Sequence, residues 1–501
     1  MRKDFERVTP ESVGVPSKAI EWLLDQLEEI TEPHGLMLMR HGKVFAEGWW
    51  APYAPGIRHG LQSHSKTYAA TAVGVAYTEG LIKLDERVID IFPDEAPENP
   101  SENLKKLTVR DVLCMGCGMD TMPRPSVDWI RDFLAIPVNH VPGTTYMYNS
   151  TGSTLLGAMV RKKTGLGLHD YLKPRVFDKI GINADNMRWS CMPDGMEIGG
   201  GGGYATTEDN LRLMKLYADG GVWDGERILA EDYVKLAVSL QNESATERAV
   251  NPPAEDNFVG YGFQIWMCRP KGVYRADGAM GQFSIVIPDR DMIIAITETA
   301  AGSTGGVGPQ NVLDHMWEFL KMLPDPSVET LPEDEAASAH LAHRMKTLAL
   351  AAPATSAPSP LQSQVCCVKY AAAEGELHLI DNSSARMMGG AAPTAPVEWL
   401  KLSFAENRCI IDFFESGKEQ KLVVATDGSR FENDMDAMPG IFLCSGLWTD
   451  ENTFEMTNRM VETCNQKTFK FKFDGDTLTV ETPGFSFGRG PAVMTSVFKK
   501  A

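Results

Sequence analysis

Ser63 and Lys66 stand three residues apart in the stretch HGLQSHSKTYAATAVGVAYTEGLIKLDERV (residues 59–88), where small polar residues give way to a helical apolar pattern. On one helix that spacing puts a hydroxyl and an amine on the same face. At a helix start the local field favours negative charge, which helps a serine oxygen lose its proton. The main-chain amides there lack helical partners and can hold an oxyanion. Lysine is readily tuned by burial and neighbours, so a neutral Lys66 can accept the serine proton. Spacing alone is a weak signal: Ser496 and Lys499 repeat it in TSVFKK, in a strand-like context. Position within the pattern decides.

Two further segments carry chemistry-capable residues. In VPGTTYMYNSTGSTLLGAMV the turn Pro142-Gly143 precedes Tyr148, Asn149 and Ser150, and a small-residue helix follows. A tyrosine held beside a lysine ammonium has its phenol pKa drawn down from about 10, which would make Tyr148 a proton carrier between serine and leaving group. A core tyrosine with a bonded hydroxyl is the plainer alternative for that segment taken alone. In YRADGAMGQFSIVIPDRDM, Gly278 and Gly281 flank a strand start, where missing side chains let a substrate approach the backbone. The Ala279 amide is then a candidate second oxyanion donor.

These residues need a scaffold. Ser17 is expected to cap a helix over KAIEWLLDQLEEI, and GLMLMRHGKVFAEGWW reads as a hairpin turning at His41-Gly42. The Ser63 helix ends near Gly80, and a largely helical and loop region runs from about 85 to 250, with Thr206 and Asp209 forming a cap for TTEDNLRLMKLYADGG. Strands return in GYGFQIWMC, GVYRADG, GQFSIVIPD and DMIIAITETA, before the helix GPQNVLDHMWEFLKML. Strands at both ends with helices between predict an α/β (α+β) unit whose terminal strands share one antiparallel sheet. The expected domains are residues 1–325, then a helix and Ala/Pro/Ser-rich linker over 326–363, then an all-β, barrel-like or sandwich-like domain over 364–501. Its expected strands lie in GELHLIDN, EWLKLSFAENRCIIDFFESG and TFKFKFDGDTLTVETPG.

The net charge of −19 and the absence of a long basic run argue against nucleic acid or an anionic membrane surface as partners. No apolar run is long enough to span a bilayer. MRKDFERVTPESVGVP has no apolar signal core, and nine scattered cysteines show no disulfide spacing. Together they lead us to expect a reducing, cytoplasmic setting. Cys114 and Cys117 form a CxxC without a second pair, so buried small residues are expected rather than a zinc or redox site. The glycines Gly199–Gly203 lack the Gly-Lys-Ser/Thr of a phosphate loop, and His340 and His343 have no acids arranged as co-ligands. No metal and no cofactor are expected. His64, inside the motif, is expected to pack or face solvent.

The order SHSK, PGTTYMYNSTG…LLG, GGGGYATTEDNLRLMKLY, ADGAMGQFSIVIPDRD resembles the serine β-lactamase and penicillin-binding-protein-like hydrolases, on their class C and carboxylesterase side, over residues 8–323. EGLIKLDERVIDIFPD and GGVWDGERILAEDYV are similar to that family as well. The resemblance implies a β-lactamase-like antiparallel sheet flanked by helices with a helical subdomain. It implies Ser63 as nucleophile, Lys66 as base, Tyr148 as the tyrosine of a Tyr-x-Asn motif, and the Ser63 and Ala279 amides as oxyanion hole. The expected course is attack by Ser63, an acyl-enzyme, and hydrolysis through Lys66 and Tyr148. In that family such a stretch lines the approach to the site, so Gly199–Gly203 is expected to serve loop packing there.

Two positions depart from the family. Ser150 stands where many members have asparagine, giving a hydrogen-bonding group of shorter reach. The family's Lys-Thr-Gly is here Ala276-Asp277-Gly278, so the lysine that helps bind a substrate carboxylate is gone and Asp277 adds negative charge. Penicillins and D-Ala-D-Ala termini are therefore expected to be poor substrates. Esters, amides or small peptides without a required carboxylate fit better, and Asp277 would welcome a free amine. Acyl transfer, D-aminopeptidase-like activity, and a non-catalytic binding or scaffold role on the same fold are the competing readings. The C-terminal domain is open to binding a ligand, shaping the mouth of the site or supporting a homo-oligomer.

Overall fold

A computed structural model describes residues 4–123, 126–243, 255–300, 307–380, 395–435, 440–483 and 493–501. Residues 1–349 form one compact unit, and residues 350–387 with 392–501 form a second.

The first unit is built on a six-stranded sheet. Helix α1 (Ser17–Ile30) leads into β1 (Glu32–Arg40) and β2 (Lys43–Trp49), a hairpin turned at His41-Gly42. The remaining strands come from the other end of the unit: β3 (Trp266–Met267), β4 (Tyr274–Gly278), β5 (Gln282–Ile287) and β6 (Met292–Thr299). Their order is β2-β1-β6-β5-β4-β3, and every neighbouring pair is antiparallel. The terminal strands β1 and β6 thus meet in the middle, as the sequence order suggested. Strand β1 is buried on both faces. Met37 and Met39 join the core shared with the intervening helices, and residues between them point to the opposite face.

Between β2 and β3 runs a mainly helical region, of which residues 124, 125 and 244–254 lie outside the described residues. Helix α2 (Ser65–Thr78) packs against α3 (Ser150–Thr164). The apolar stripe expected for α2 is instead burial on nearly every side, with Ser65 through Ala76 all buried. Its small residues allow close neighbours. Its polar ones are bonded: Thr67 Oγ1 donates to Gln264 O at 3.0 Å and Tyr68 OH to Asn210 Oδ1 at 3.0 Å. Helix α4 (Thr207–Ala218) starts at the expected Thr206/Asp209 capping box and lies against β1, β5 and β6. Helix α5 (Val307–Met322) packs on α1, as does α6 (Glu335–Thr347), so the helix expected in the linker belongs to the first unit.

Two local expectations are corrected. Ser17 is the first helical residue, not the cap. Its amide and hydroxyl both donate to the buried Glu11 carboxylate (2.8 and 3.0 Å) while Pro16 holds the cap position. Strand structure in the second unit begins at β7 (Lys369–Glu374), ahead of GELHLIDN, whose described residues 375–380 form no strand; Asp381 and Asn382 lie outside the described residues.

Among its described residues the second unit is all-β apart from a short helix (Gln362–Val365). Its strands are β7, β8 (Trp399–Ala405), β9 (Arg408–Glu415), β10 (Lys418–Ala425), β11 (Phe431–Asp434), β12 (Ile441–Trp448), β13 (Thr453–Met460), β14 (Asn465–Asp474), β15 (Thr477–Pro483) and β16 (Val493–Lys500). They run β10-β9-β8-β7-β16-β15-β14-β13-β12, and a bridge from Ala425 to Ser445 closes these nine strands into a barrel, with β11 paired outside the ring to β12. Asn433 on β11 reinforces the closure: its Oδ1 accepts from Val423 N (2.7 Å) and its Nδ2 donates to Val423 O (2.9 Å), imitating a ladder pair. Alternation fills the interior with side chains such as Ile411, Phe413, Phe442 and Phe471. The pair Ser496 and Lys499 lies on β16, where an odd spacing puts the two on opposite faces.

Candidate active site

Ser63 sits on a single 3-10 turn, Gln62–His64, that runs straight into α2. The sequence placed serine and lysine on one helix. The tighter turn keeps them on the same side while lifting Ser63 out of the fully buried rod. Ser65 fixes the turn from behind, donating to Gln62 O (2.7 Å) and accepting from Gly203 N (2.9 Å). His64 points inward, is fully buried, and bonds Ser284 Oγ through Nε2 at 2.9 Å. Burial lowers its imidazole to about 4, so it is a neutral core residue.

Lys66 is 1 % exposed, and its Nζ lies within hydrogen-bond reach of three oxygens: Ser63 Oγ at 2.9 Å, Ser150 Oγ at 3.1 Å and Gly200 O at 2.5 Å. Burial brings its pKa down to about 7, against an opposing pull from Asp277. Near neutral pH the amine is therefore substantially unprotonated. A neutral amine donates two hydrogen bonds and keeps one lone pair. Gly200 O can only accept, so it takes one N–H; with Ser150 Oγ accepting the second, the lone pair is left for the Ser63 hydroxyl.

From the sequence Gly200 stood out only as one of the Gly199–Gly203 stretch, not as a partner of Lys66. Its part is played by a main-chain carbonyl, which leaves no signature in residue type. The signal that could have found it is the glycine itself: a Cβ at position 200 would lie 2.2 Å from Ser150 O, so only glycine lets this strand of backbone reach the lysine. The stretch Gly199–Gly203 is thus part of the site's wall, held by Thr154 Oγ1 accepting from Gly200 N and by pairing of Gly203–Ala205 with His59–Gly60.

Tyr148 approaches from the loop before α3. Its hydroxyl is hydrogen-bonded to Ser63, and its ring lies under Lys66, with Nζ 4.7 Å from the centroid. Trp266 stacks on it (5.7 Å, 23°) and Tyr261 meets it edge-on (6.5 Å, 86°). The expected lowering of the phenol pKa does not hold. Desolvation pushes Tyr148 well up, outweighing its hydrogen bond with Ser63, and the neighbouring lysine is itself pushed toward neutrality by the same burial. Asn149 is buried as the cap of α3, accepting from Gly152 N at 2.8 Å. Ser150, next in sequence, turns its hydroxyl to Lys66.

Gly278 ends β4 against the Ser63 turn. A Cβ there would stand 2.1 Å from Leu61 O, so glycine lets the strand end abut that turn, with Ala279 next in the chain. Asp277 lies one residue earlier, with its side chain 19 % exposed, bound through Oδ2 to Arg275 at 2.8 Å. Burial raises its carboxyl above the ordinary value, against the influence of Arg275 and Lys66. The structure therefore brings Ser63, Lys66, Tyr148 and Ser150 into one hydrogen-bonded group, with Asp277, Gly278 and Ala279 along its edge.

With this geometry in place, comparison with known proteins is informative. The Beta-lactamase family matches residues 34–315, more than half of the chain. The chain belongs to the beta-lactamase family. It is 26% identical over 309 residues to the 6-aminohexanoate-dimer hydrolase of Paenarthrobacter ureafaciens, covering 54% of this chain and 74% of that protein. It is 26% identical over 299 residues to penicillin-binding protein 4 of Amycolatopsis lactamdurans, covering 52% of this chain and 75% of that protein. Among solved structures, a Bacillus anthracis protein provisionally named 6-aminohexanoate-dimer hydrolase superposes with a TM-score of 0.52 at 17% identity, over 66% of this chain and 89% of that one. At that identity the likeness speaks to the fold alone.

The other motif residues take structural places in this beta-lactamase-family chain. Cys114 and Cys117 are buried thiols; burial pushes Cys114 up to about 12 and Cys117 further in the same direction. Among the described residues no group of three or more His, Cys, Asp or Glu is placed to hold a metal ion, and no helix is long and apolar enough to cross a membrane. His340 bonds Glu21 at the surface.

Proposed function

We propose that this protein is a serine hydrolase that cleaves an ester or amide bond of a small molecule or peptide through a Ser63 acyl-enzyme. The observation that carries the reading is Lys66: a buried amine, near neutral at physiological pH, 2.9 Å from the Ser63 hydroxyl. In the proposed course Lys66 takes the Ser63 proton as Oγ attacks the carbonyl carbon. The Ser63 and Ala279 amides hold the oxyanion. Tyr148, bonded to Ser63, passes a proton to the departing oxygen or nitrogen. Water then enters, loses its proton to the same lysine–tyrosine pair and releases the acid. Membership of the beta-lactamase family and a relative named as a hydrolase support hydrolysis as the outcome.

The test is intact-protein mass spectrometry after exposure to a fluorophosphonate, with Ser63→Ala alongside. The expected result is one adduct per chain, absent in the variant. A folded wild-type protein that stays unlabelled, or a Ser63→Ala protein labelled equally, overturns the assignment.

A further inference from the structure

Asp277 stands at the edge of the site, one residue before Gly278, and its chemistry is the reverse of a carboxylate receptor. Arg275, two residues earlier on the same face of β4, is fully buried, and all its nitrogens are engaged. Nε and one terminal nitrogen hold Asp277 Oδ2 at 2.8 Å; that terminal nitrogen also donates to Asn257 Oδ1 (2.6 Å), and the other to Met267 O (3.3 Å) and Asp256 O (3.5 Å). The guanidinium therefore anchors the aspartate and has no fork left for a ligand.

Both Arg275 contacts fall on Oδ2, which leaves Oδ1 as an acceptor on a carboxylate that is partly exposed. Asp277 acts electrostatically on both Lys66 and Tyr148, and the end of its strand packs against the turn that carries Ser63. A cavity of about 30 Å³ has Asp277, Arg275, Asn257 and Gln310 in its walls, with Phe283 and Leu313 among the apolar residues that complete it. That is room for one group the size of a water or an ammonium. Asn257 and Gln310 line it with polar side chains; the Lys66 amine, at its pKa of about 7, adds little opposing charge above neutrality.

We infer that Asp277, clamped by Arg275 through one oxygen, makes this a site for acyl substrates bearing a protonated amine, and selects against substrates bearing a carboxylate at the same place. The inference rests on Ser63 being the nucleophile and adds the substrate class. A charge-assisted hydrogen bond to a fixed carboxylate is stronger than a neutral one. The preference for a cationic over a neutral isostere should be about tenfold, equivalent to about 1.4 kcal/mol. An anionic isostere should be weaker than the neutral one by a similar factor.

The experiment uses arylboronic acids, which form a tetrahedral adduct with an activated serine. Inhibition constants are measured on the full-length protein for the meta and para forms of tolyl-, aminomethylphenyl- and carboxyphenylboronic acid. The expected order is aminomethyl, then methyl, then carboxyl, in at least one ring series. The spread should shrink from low salt to about 1 M salt, since the carboxylate is partly exposed. Asp277→Asn should collapse the aminomethyl-to-methyl ratio toward one. Should the unpaired Arg275 prevent that variant from folding, the double variant Arg275→Gln/Asp277→Asn removes the buried cation and answers the same question. Tolylboronate binding that requires Ser63, with no advantage for the amine in wild type, overturns this inference and leaves the hydrolase reading standing. Binding of no boronate to a folded protein overturns both.

Discussion

Replacing Tyr148 by phenylalanine removes one oxygen from the site and little else. The ring stays stacked on Trp266 and edge-on to Tyr261, and Lys66 keeps its bonds to Ser63, Ser150 and Gly200. The stability lost is that of one hydroxyl hydrogen bond, about 1 kcal/mol, a shift of a few degrees in melting temperature at most. The catalytic loss should be far larger. A positioned proton carrier contributes about 10²–10⁴-fold, or about 3–5 kcal/mol of barrier. The assay is kcat/KM for p-nitrophenyl acetate across pH 5–9, with a thermal melt of each protein. The rise of activity through about pH 7 should survive in Tyr148→Phe, because it belongs to Lys66 and the lysine's burial is unchanged. A folded Tyr148→Phe protein that loses less than about threefold, or one whose low-pH limb disappears, refutes the assignment of proton transfer to Tyr148.

Three other outcomes follow from the same geometry. Fluorophosphonate labelling should speed up as pH rises from 6 to 8: the Lys66 pKa of about 7 lies below its ordinary value, so raising the pH through 7 creates the neutral base; a flat profile would count against Lys66. Gly200→Ala should cost more than about tenfold in kcat/KM, because the new methyl group meets Ser150 O at 2.2 Å and displaces the carbonyl that positions Lys66; the crowding should also lower stability by about 1–3 kcal/mol in a urea melt. Benzylpenicillin, a carboxylate, should be turned over more slowly than p-nitrophenyl acetate; a lactam preferred over the ester would contradict the electrostatics of Asp277.

The placement of Ser63 beside Lys66 was readable because it depends on local spacing, and a turn followed by a helix preserves that spacing. The sheet was readable too, since strand-forming runs at both ends of the unit with helices between left β1 and β6 as natural neighbours. What escaped was whatever depends on distant packing. The direction of the Tyr148 shift is set by burial against Trp266 and Tyr261, more than a hundred residues away in sequence. Gly200 acts through its carbonyl, and the sequence shows only that it is a glycine. Glu11 takes both donors of Ser17 from a preceding turn, so a residue of good capping type became the first residue of the helix. Asp277 was visible as a departure from Lys-Thr-Gly, but its clamp was not, because Arg275 shows its purpose only when the alternation of β4 puts both on one face.

The proton inventory around Lys66 separates two roles that the hydrogen-bond distances alone leave alike. Ser63 Oγ and Ser150 Oγ lie at 2.9 and 3.1 Å from the same nitrogen, and either hydroxyl could in principle face its lone pair. Gly200 O occupies one N–H permanently because a carbonyl cannot donate. If Ser150 only accepts, Ser150→Ala removes one strut worth about 1 kcal/mol and slows turnover by about fivefold. Lys66→Ala removes the base itself and should cost the full factor of about 10²–10⁴. Measured together with the double variant, the two should be far from additive, since a strut has nothing to hold once the amine is gone. A Ser150→Ala protein as slow as Lys66→Ala, at equal stability, would instead make Ser150 part of the proton path from Ser63 to the leaving group.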